Sequence, residues 1–232
     1  MRVGMPLGYA GGFSETVAEL ADFERAGLDI VFVPEAYSFD AVSQLGFIAA
    51  RTTRLQIASG ILPIYSRTPT LTAMTAAGLD YVSGGRFTLG PGTSGPQVIE
   101  GWHGVPYHAP IGRTRELIEI CRLVWRRERL DYHGKHYALP LDGGTGLGKP
   151  LKLINHPVRE RIPIVIATLG PKNVDLAAEL ADRVEAVRFG DEEDLQASLL
   201  EVTKLGDGLA ETACVVDDHP DAHLLAFLPI LA

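Results

Sequence analysis

The chain has 232 residues, 46% of them hydrophobic and 22% charged, with 29 acidic against 21 basic side chains. A net charge of -8 and the lack of a Lys/Arg-rich run exclude a nucleic-acid surface, which needs a basic footprint to meet phosphate. No run of 18 apolar residues and no charged-then-apolar leader is present, so the expectation is no membrane partner, a cytoplasmic location and one domain spanning residues 1–232.

Strand-like and helix-like segments alternate from the start. Residues 2–7 read as a strand, Ser14 as the N-cap of a helix through Ala26 that Gly27 stops, and residues 28–34 as a continuous apolar strand. Asp40 caps a second helix running to about Thr52, and residues 54–62 form a third strand. Thr68-Pro69 supplies an N-cap and a proline at the first helical position for a helix ending near Gly84. A fourth strand, residues 86–89, feeds a glycine-rich loop.

An excursion at about residues 105–160 follows. It holds an amphipathic helix over residues 112–128, a hairpin over residues 130–139 turning at Gly134-Lys135, and a glycine-rich loop over residues 142–149. Alternation then resumes with strands over residues 162–168, 184–189 and 212–216 and helices over residues 172–182, 192–205 and 221–228. Apolar strands each followed by a helix predict a parallel sheet covered by helices. An α/β fold of the TIM (β/α)8 type fits best, with about seven units where eight are usual. Seven strands leave the first and last without neighbours, so the chain reads as incomplete at its C-terminus. It would then borrow contacts as a homo-oligomer or be marginally stable alone.

Residues 83–104 carry the chemistry. A strand there spills into Gly90-Pro91-Gly92-Thr93-Ser94-Gly95 and then a helix start, a junction whose free N–H groups suit an anion, phosphate above all. The spacing Gly90-x-Gly92-x-x-Gly95 matches the dinucleotide fingerprint, but no acidic residue closes a second strand about 20 positions on, so a Rossmann site is not expected. Trp102-His103 directly follows this loop, which makes His103 a candidate catalytic group. Glu35, at the end of strand two, sits where barrel enzymes place chemistry, and an apolar setting there would raise its carboxyl toward an acid or base range.

Glu35-Ala36-Tyr37, residues 40–46, residues 60–69, residues 83–104 and Leu169-Gly170-Pro171-Lys172-Asn173 together resemble luciferase-like, coenzyme F420-dependent oxidoreductases of actinobacterial type. The match is dense to about residue 182. The resemblance implies a barrel holding a deazaflavin at the C-terminal ends of its strands, with hydride passing between cofactor C5 and the carbon of a small organic substrate. It implies a non-proline cis peptide at Gly60-Ile61 beside the deazaflavin ring, Thr93, Ser94 and Val98 around ring and phosphate, and Leu169, Gly170, Lys172 and Asn173 gripping the tail. Glu35 matches an acidic position beside the ring. Ala36 and Gly95 stand where the family's sugar-phosphate dehydrogenases carry a histidine and a glutamate, which argues against sugar-phosphate oxidation. FMN is the alternative cofactor, which would make the chain a luciferase-like monooxygenase; a non-catalytic cofactor-binding homologue is a further alternative.

Other patterns are weaker. Gly143-x-x-x-x-Gly148-Lys149 approaches a phosphate-binding loop, but Pro150 replaces the hydroxyl that would ligate magnesium. Ser94 lacks the glycine that a hydrolase nucleophile elbow needs at Pro96. The pairs His133/His136 and His219/His223 have no third ligand in view, so no metal is expected. Cys121 and Cys214 read as buried structural thiols.

Overall fold

The computed structural model describes residues 3–8, 12–167, 171–189 and 212–216. Parallel strands β1 (Gly4–Pro6), β2 (Ile30–Val33), β3 (Gln56–Ser59) and β5 (Phe87–Thr88) pair in that order. A parallel bridge from Leu89 to Ile164 continues the wall to β9 (Val165–Ala167), β10 (Arg183–Phe189) and β11 (Thr212–Val216). Cα atoms of β11 come within 8 Å of β1, although no ladder joins the two among the described residues. The wall therefore curls back on itself, bringing together the two edges that a seven-strand reading leaves far apart.

Helices α1 (Phe13–Ala26), α2 (Ala41–Arg51), α3 (Pro69–Val82), α4 (Pro110–Trp125) and α5 (Pro171–Leu180) cover the outside. Strand β2 shows how the sheet separates two cores. Ile30 and Phe32 cluster with Ala58 and Val165 inside the barrel, whereas Val31 and Val33 join Ile57, Leu20, Leu45 and Ile48 between sheet and helices. That alternation is the two-residue period of a strand buried on both faces. Each fully buried Leu or Ile contributes roughly 1.5–3 kcal/mol relative to exposure. On the far side, α3 and α4 pack closely. Trp125 is fully buried and donates from Nε1 to the Ala73 carbonyl at 3.0 Å, and buried Cys121 turns its thiol to the Pro69 carbonyl at 3.8 Å. Burial pushes the Cys121 thiol well above its ordinary range.

The helix ends largely follow the sequence. Asp40 accepts from the Ser43 N–H at 2.7 Å and Thr68 from the Leu71 N–H at 3.2 Å, each serving as an N-cap. Helix α1 departs from expectation: it starts two residues early, with Gly12 in the cap position and no side-chain cap, so Ser14 lies inside its first turn. The expected single strand over residues 54–62 is instead split into β3 and β4 (Leu62–Pro63). The helices expected over residues 192–205 and 221–228 lie outside the described residues.

A buried carboxylate holds the turn of the excursion's hairpin. Strands β7 (Tyr132–His133) and β8 (Ala138–Leu139) form the antiparallel hairpin, and buried Glu116 of α4 accepts from the N–H groups of Lys135 at 2.8 Å, His136 at 3.0 Å and Tyr137 at 3.0 Å across its turn. Residues 142–149 form exposed turns shortly after β8, and no helix follows them directly.

At the N-terminal ends of the strands, polar side chains tie the turns together. Arg86 donates to the carbonyls of Ala49, Thr52, Leu55 and Ser83 at 2.7–3.1 Å, satisfying the end of α2. Buried Asp80 accepts from the Phe87 N–H at 3.3 Å and pairs with Arg159. Glu24 accepts from the Arg54 N–H at 2.6 Å and from the Leu55 N–H. Burial by itself would raise the Glu24 carboxyl, but those hydrogen bonds and the Arg54 charge outweigh it and hold the group below its ordinary range. A carboxyl depressed in the folded state adds stability above its unfolded pKa of about 4.3, and that contribution is lost as pH falls through the folded value. Glu24→Gln is therefore expected to lower stability at pH 7 by about 1–3 kcal/mol. Thermal melts over a pH series should show the gap between variant and parent closing as the pH drops below about 4.

Candidate active site

The site is built where strands three and five are each interrupted and then resume. After Ser59 the Gly60–Ile61 peptide is cis, as the resemblance implies, and the chain continues as β4. After Leu89 the chain turns through Gly90 and continues as β6 (Pro91–Gly92), which pairs in parallel with β4: Leu62 N–H donates to the Gly90 carbonyl at 2.8 Å, and Ile64 N–H to the Gly92 carbonyl at 2.9 Å. Below them, buried Ser59 locks the two interruptions together. Its hydroxyl accepts from the Gly90 N–H at 2.8 Å and donates to the Gly90 carbonyl at 3.1 Å. Gly60 N–H reaches back to the Val33 carbonyl at 2.9 Å, tying the ledge to β2.

Two glycines are required by closeness of approach. A Cβ on Gly90 would lie 2.0 Å from the Ser59 carbonyl oxygen, and one on Gly92 would lie 2.7 Å from the Ile61 side chain. Both distances are inside van der Waals contact, and at Gly90 the obstacle is backbone that cannot rotate away.

From this ledge the chain climbs through Thr93 and Ser94. Ser94 sits at φ 53°, and no hydrogen bond of its hydroxyl is found among the described residues; its carbonyl accepts from the Thr93 hydroxyl at 3.4 Å and from Tyr107 at 3.5 Å. The expected ordinary helix start is instead a π-helical segment, Gln97–Trp102, only six residues long. Val98 is half-buried in it, and its carbonyl accepts the His103 N–H at 3.2 Å. The Nε2 atom of His103 is buried with no partner among the described residues.

Glu35 reaches the same end of the barrel from β2, but its surroundings differ from the apolar setting expected of it. Arg67 grips both carboxylate oxygens, one of them at 3.0 Å, and the Ala41 N–H at the start of α2 donates to it at 2.9 Å. Arg67 also donates to Asp40 at 3.0 Å. Burial works to raise the Asp40 carboxyl, but the Ser43 hydroxyl and N–H and the Arg67 charge overcome it, so the group lies below its ordinary range. Glu35 is thus held in place by a cation and by a helix start, with charge-assisted hydrogen bonds to both of its oxygens.

Arg67, the centre of this knot, was not singled out by its chemistry; only its place before the Thr68-Pro69 cap marks it. Sequence reasoning also missed a cleft of about 330 Å³ beside the ledge, lined by Tyr65, Arg67, Thr68, His108, Arg113 and Tyr137 among others. Arg113 lies between the Tyr65 and Tyr137 rings, 5.9 and 5.2 Å from their centroids, and donates to His108 Nε2 at 2.8 Å. Burial, reinforced by Tyr107, pushes the Tyr65 hydroxyl up to about 12.

Leu169 and Gly170 lie outside the described residues. Lys172 and Asn173 fall in the first turn of α5, directly after β9 and at the same end of the barrel as the ledge. The structure does not unite the histidine pairs with this site: His133 contacts Asp131 at 3.0 Å on the hairpin, the His136 N–H serves Glu116, and His219 and His223 lie outside the described residues. Among the described residues no helix is long and apolar enough to cross a membrane.

The sequence model of the luciferase-like monooxygenase family matches residues 1–207. A Mycobacterium tuberculosis protein provisionally named a coenzyme F420-dependent oxidoreductase is 49% identical over 187 residues, covering 78% of this chain and 54% of that protein. The chain spans about half the length of the curated relatives it matches. Two solved structures share the fold at low identity. Coenzyme F420-dependent tetrahydromethanopterin reductase from Methanopyrus kandleri superposes with a TM-score of 0.74 at 20% identity, over 93% of this chain and 65% of that one. The oxygenating constituent of 3,6-diketocamphane monooxygenase from Pseudomonas putida, in complex with FMN, gives 0.70 at 17%, over 88% and 62%.

The ledge makes its own prediction. Gly90→Ala should cost several kcal/mol, since either the Ser59 carbonyl or the β4–β6 pair must shift to admit the methyl group. Thermal unfolding measures this, and a variant melting within a degree or two of the parent would show that the ledge has room to spare.

Proposed function

From a chain that belongs to the luciferase-like monooxygenase family, we propose a deazaflavin-binding oxidoreductase that moves hydride to or from a small organic substrate. The observation that carries this reading is the double ledge: two strands interrupted side by side at their C-terminal ends, with Gly60–Ile61 on one and Gly90–Gly92 on the other. It offers a flat ring a narrow backbone shelf at the end of the barrel where such folds do their chemistry. The provisional name of the mycobacterial relative supports coenzyme F420 as the group bound.

The residues present fit that group. Ile61 and Val98 supply apolar contact for a ring, while the Thr93 and Ser94 region supplies N–H groups and, at Ser94, a hydroxyl with no partner among the described residues for a phosphate. Lys172 and Asn173, in the first turn of α5 after β9, would lie on the side where a tail would run. A bound deazaflavin supplies C5 as the hydride donor or acceptor. The chain's own part is to hold the substrate carbonyl or alcohol at that carbon and to manage its proton. His103 is the group we assign to the proton, because its Nε2 is buried, has no partner among the described residues and lies next to the loop. Glu35 we assign to positioning: it anchors Arg67 and the start of α2, and through them the wall of the mouth.

Two experiments test this. Purified protein incubated with coenzyme F420 or with FMN and then desalted should retain the deazaflavin in preference, and Ser94→Leu should weaken that retention at least about tenfold, or 1.4 kcal/mol. Retention of FMN instead, or a Ser94→Leu variant with unchanged affinity, would overturn the placement. Glu35→Gln should lower melting temperature and turnover together while leaving the shape of the pH–rate profile unchanged. Loss of one limb of that profile would restore an acid–base role to Glu35.

A further inference from the structure

We propose that Tyr37 and Trp102 form the substrate subsite of this barrel and that it accepts an uncharged, flat-ringed molecule. Both residues stand above the C-terminal ends of strands, Tyr37 four residues after β2 and Trp102 at the end of the π-helical segment that follows β6. Their rings are 6.4 Å apart at 52°, an open wedge, and each residue is 68% exposed despite the contact. Phe39, at 80%, adds a third large ring to the same loop as Tyr37. Aromatic surface this exposed is costly in water, and beside a candidate active site it marks a face that something covers.

The chemistry of the occupant follows from the charges nearby. The loop carrying Tyr37 has no Lys or Arg of its own to receive a phosphate or carboxylate, and Arg67, which reaches it, is closed on Glu35 and Asp40. Glu100, on the same π-helical segment as Trp102, adds negative charge and accepts from the Tyr107 N–H at 3.0 Å, so an anionic substrate is repelled. A quaternary ammonium group prefers to be enclosed by several rings, whereas two faces meeting in a wedge suit a ring laid edge-on or stacked against one of them. Offset and tilted aromatic contacts contribute about 0.5–1.5 kcal/mol beyond the area they bury.

The inference rests on the deazaflavin reading only in calling the ligand a substrate; ring binding itself is measured without cofactor. Calorimetric titration of the full chain with acetophenone, 4-acetylbenzoate and 4-acetyl-N,N,N-trimethylanilinium compares one ring in neutral, anionic and cationic form. Acetophenone should bind best, Trp102→Ala and Tyr37→Ala should each weaken it at least tenfold, and Trp102→Phe should keep it within about threefold. The Trp102→Ala variant should still retain deazaflavin. If acetophenone does not bind, if either charged ring binds as tightly, or if Trp102→Ala leaves affinity unchanged, the subsite is wrong. Sedimentation velocity decides the remaining occupant: a dimer of the parent that Trp102→Ala dissociates would show that a second copy covers the wedge, and would also overturn the proposal. Should acetophenone bind through Trp102 while no deazaflavin is retained, the ring subsite stands and the cofactor assignment falls.

Discussion

The contact between Ser59 and Gly90 governs everything above it in the barrel. Two backbones meet there at a distance that no side chain on Gly90 could share, and one serine hydroxyl bonds the glycine's N–H and carbonyl together. Strands three and five can end at the same height only because of that closeness. With their ends level, β4 and β6 pair as a second, shorter tier, and the loop carrying Thr93 and Ser94 starts from a fixed point. A looser junction would leave each loop to find its own position, and the separate parts of the candidate site would no longer face one another.

Charge is divided between the two ends of the barrel according to use. At the N-terminal end Glu24, Asp80 and Arg86 spend their hydrogen bonds largely on backbone groups, and Asp80 also pairs with Arg159, which closes turns and adds stability. At the C-terminal end Arg67 holds two carboxylates that come from the loop after β2, while Arg113 is held by rings and a histidine and has no ion pair among the described residues. A cation left without a counter-ion is expensive to bury. Its half-buried position beside an open cleft keeps that cost tolerable.

The alternation of apolar strand and helix was legible because each strand is buried on both faces, so the periodicity carries no competing polar signal. The caps at Asp40 and Thr68 were legible because a short side chain bonding two or three residues ahead leaves a local signature. Helix α1 began early because Gly12 could take the cap position without a side-chain acceptor, which no pattern of hydroxyls announces. The division of strand three is a matter of backbone pairing with β6, 29 residues away, and was visible only through the family resemblance at Gly60–Ile61. Glu35 shows the same division. Its place at a strand end could be read directly, but its environment depends on Arg67, 32 residues away, and an apolar neighbourhood in sequence became an ionic one in space.

Cys121 turns the packing of two helices into a clock. The thiol is fully buried against the Pro69 carbonyl, where α3 begins, and burial keeps it protonated. A protonated, enclosed thiol does not react with an alkylating reagent. Modification of Cys121 must therefore wait for α3 and α4 to part, and with reagent in excess its rate becomes the rate of that opening. One side chain that takes no part in the candidate chemistry thus records how often the wall behind the ledge comes apart.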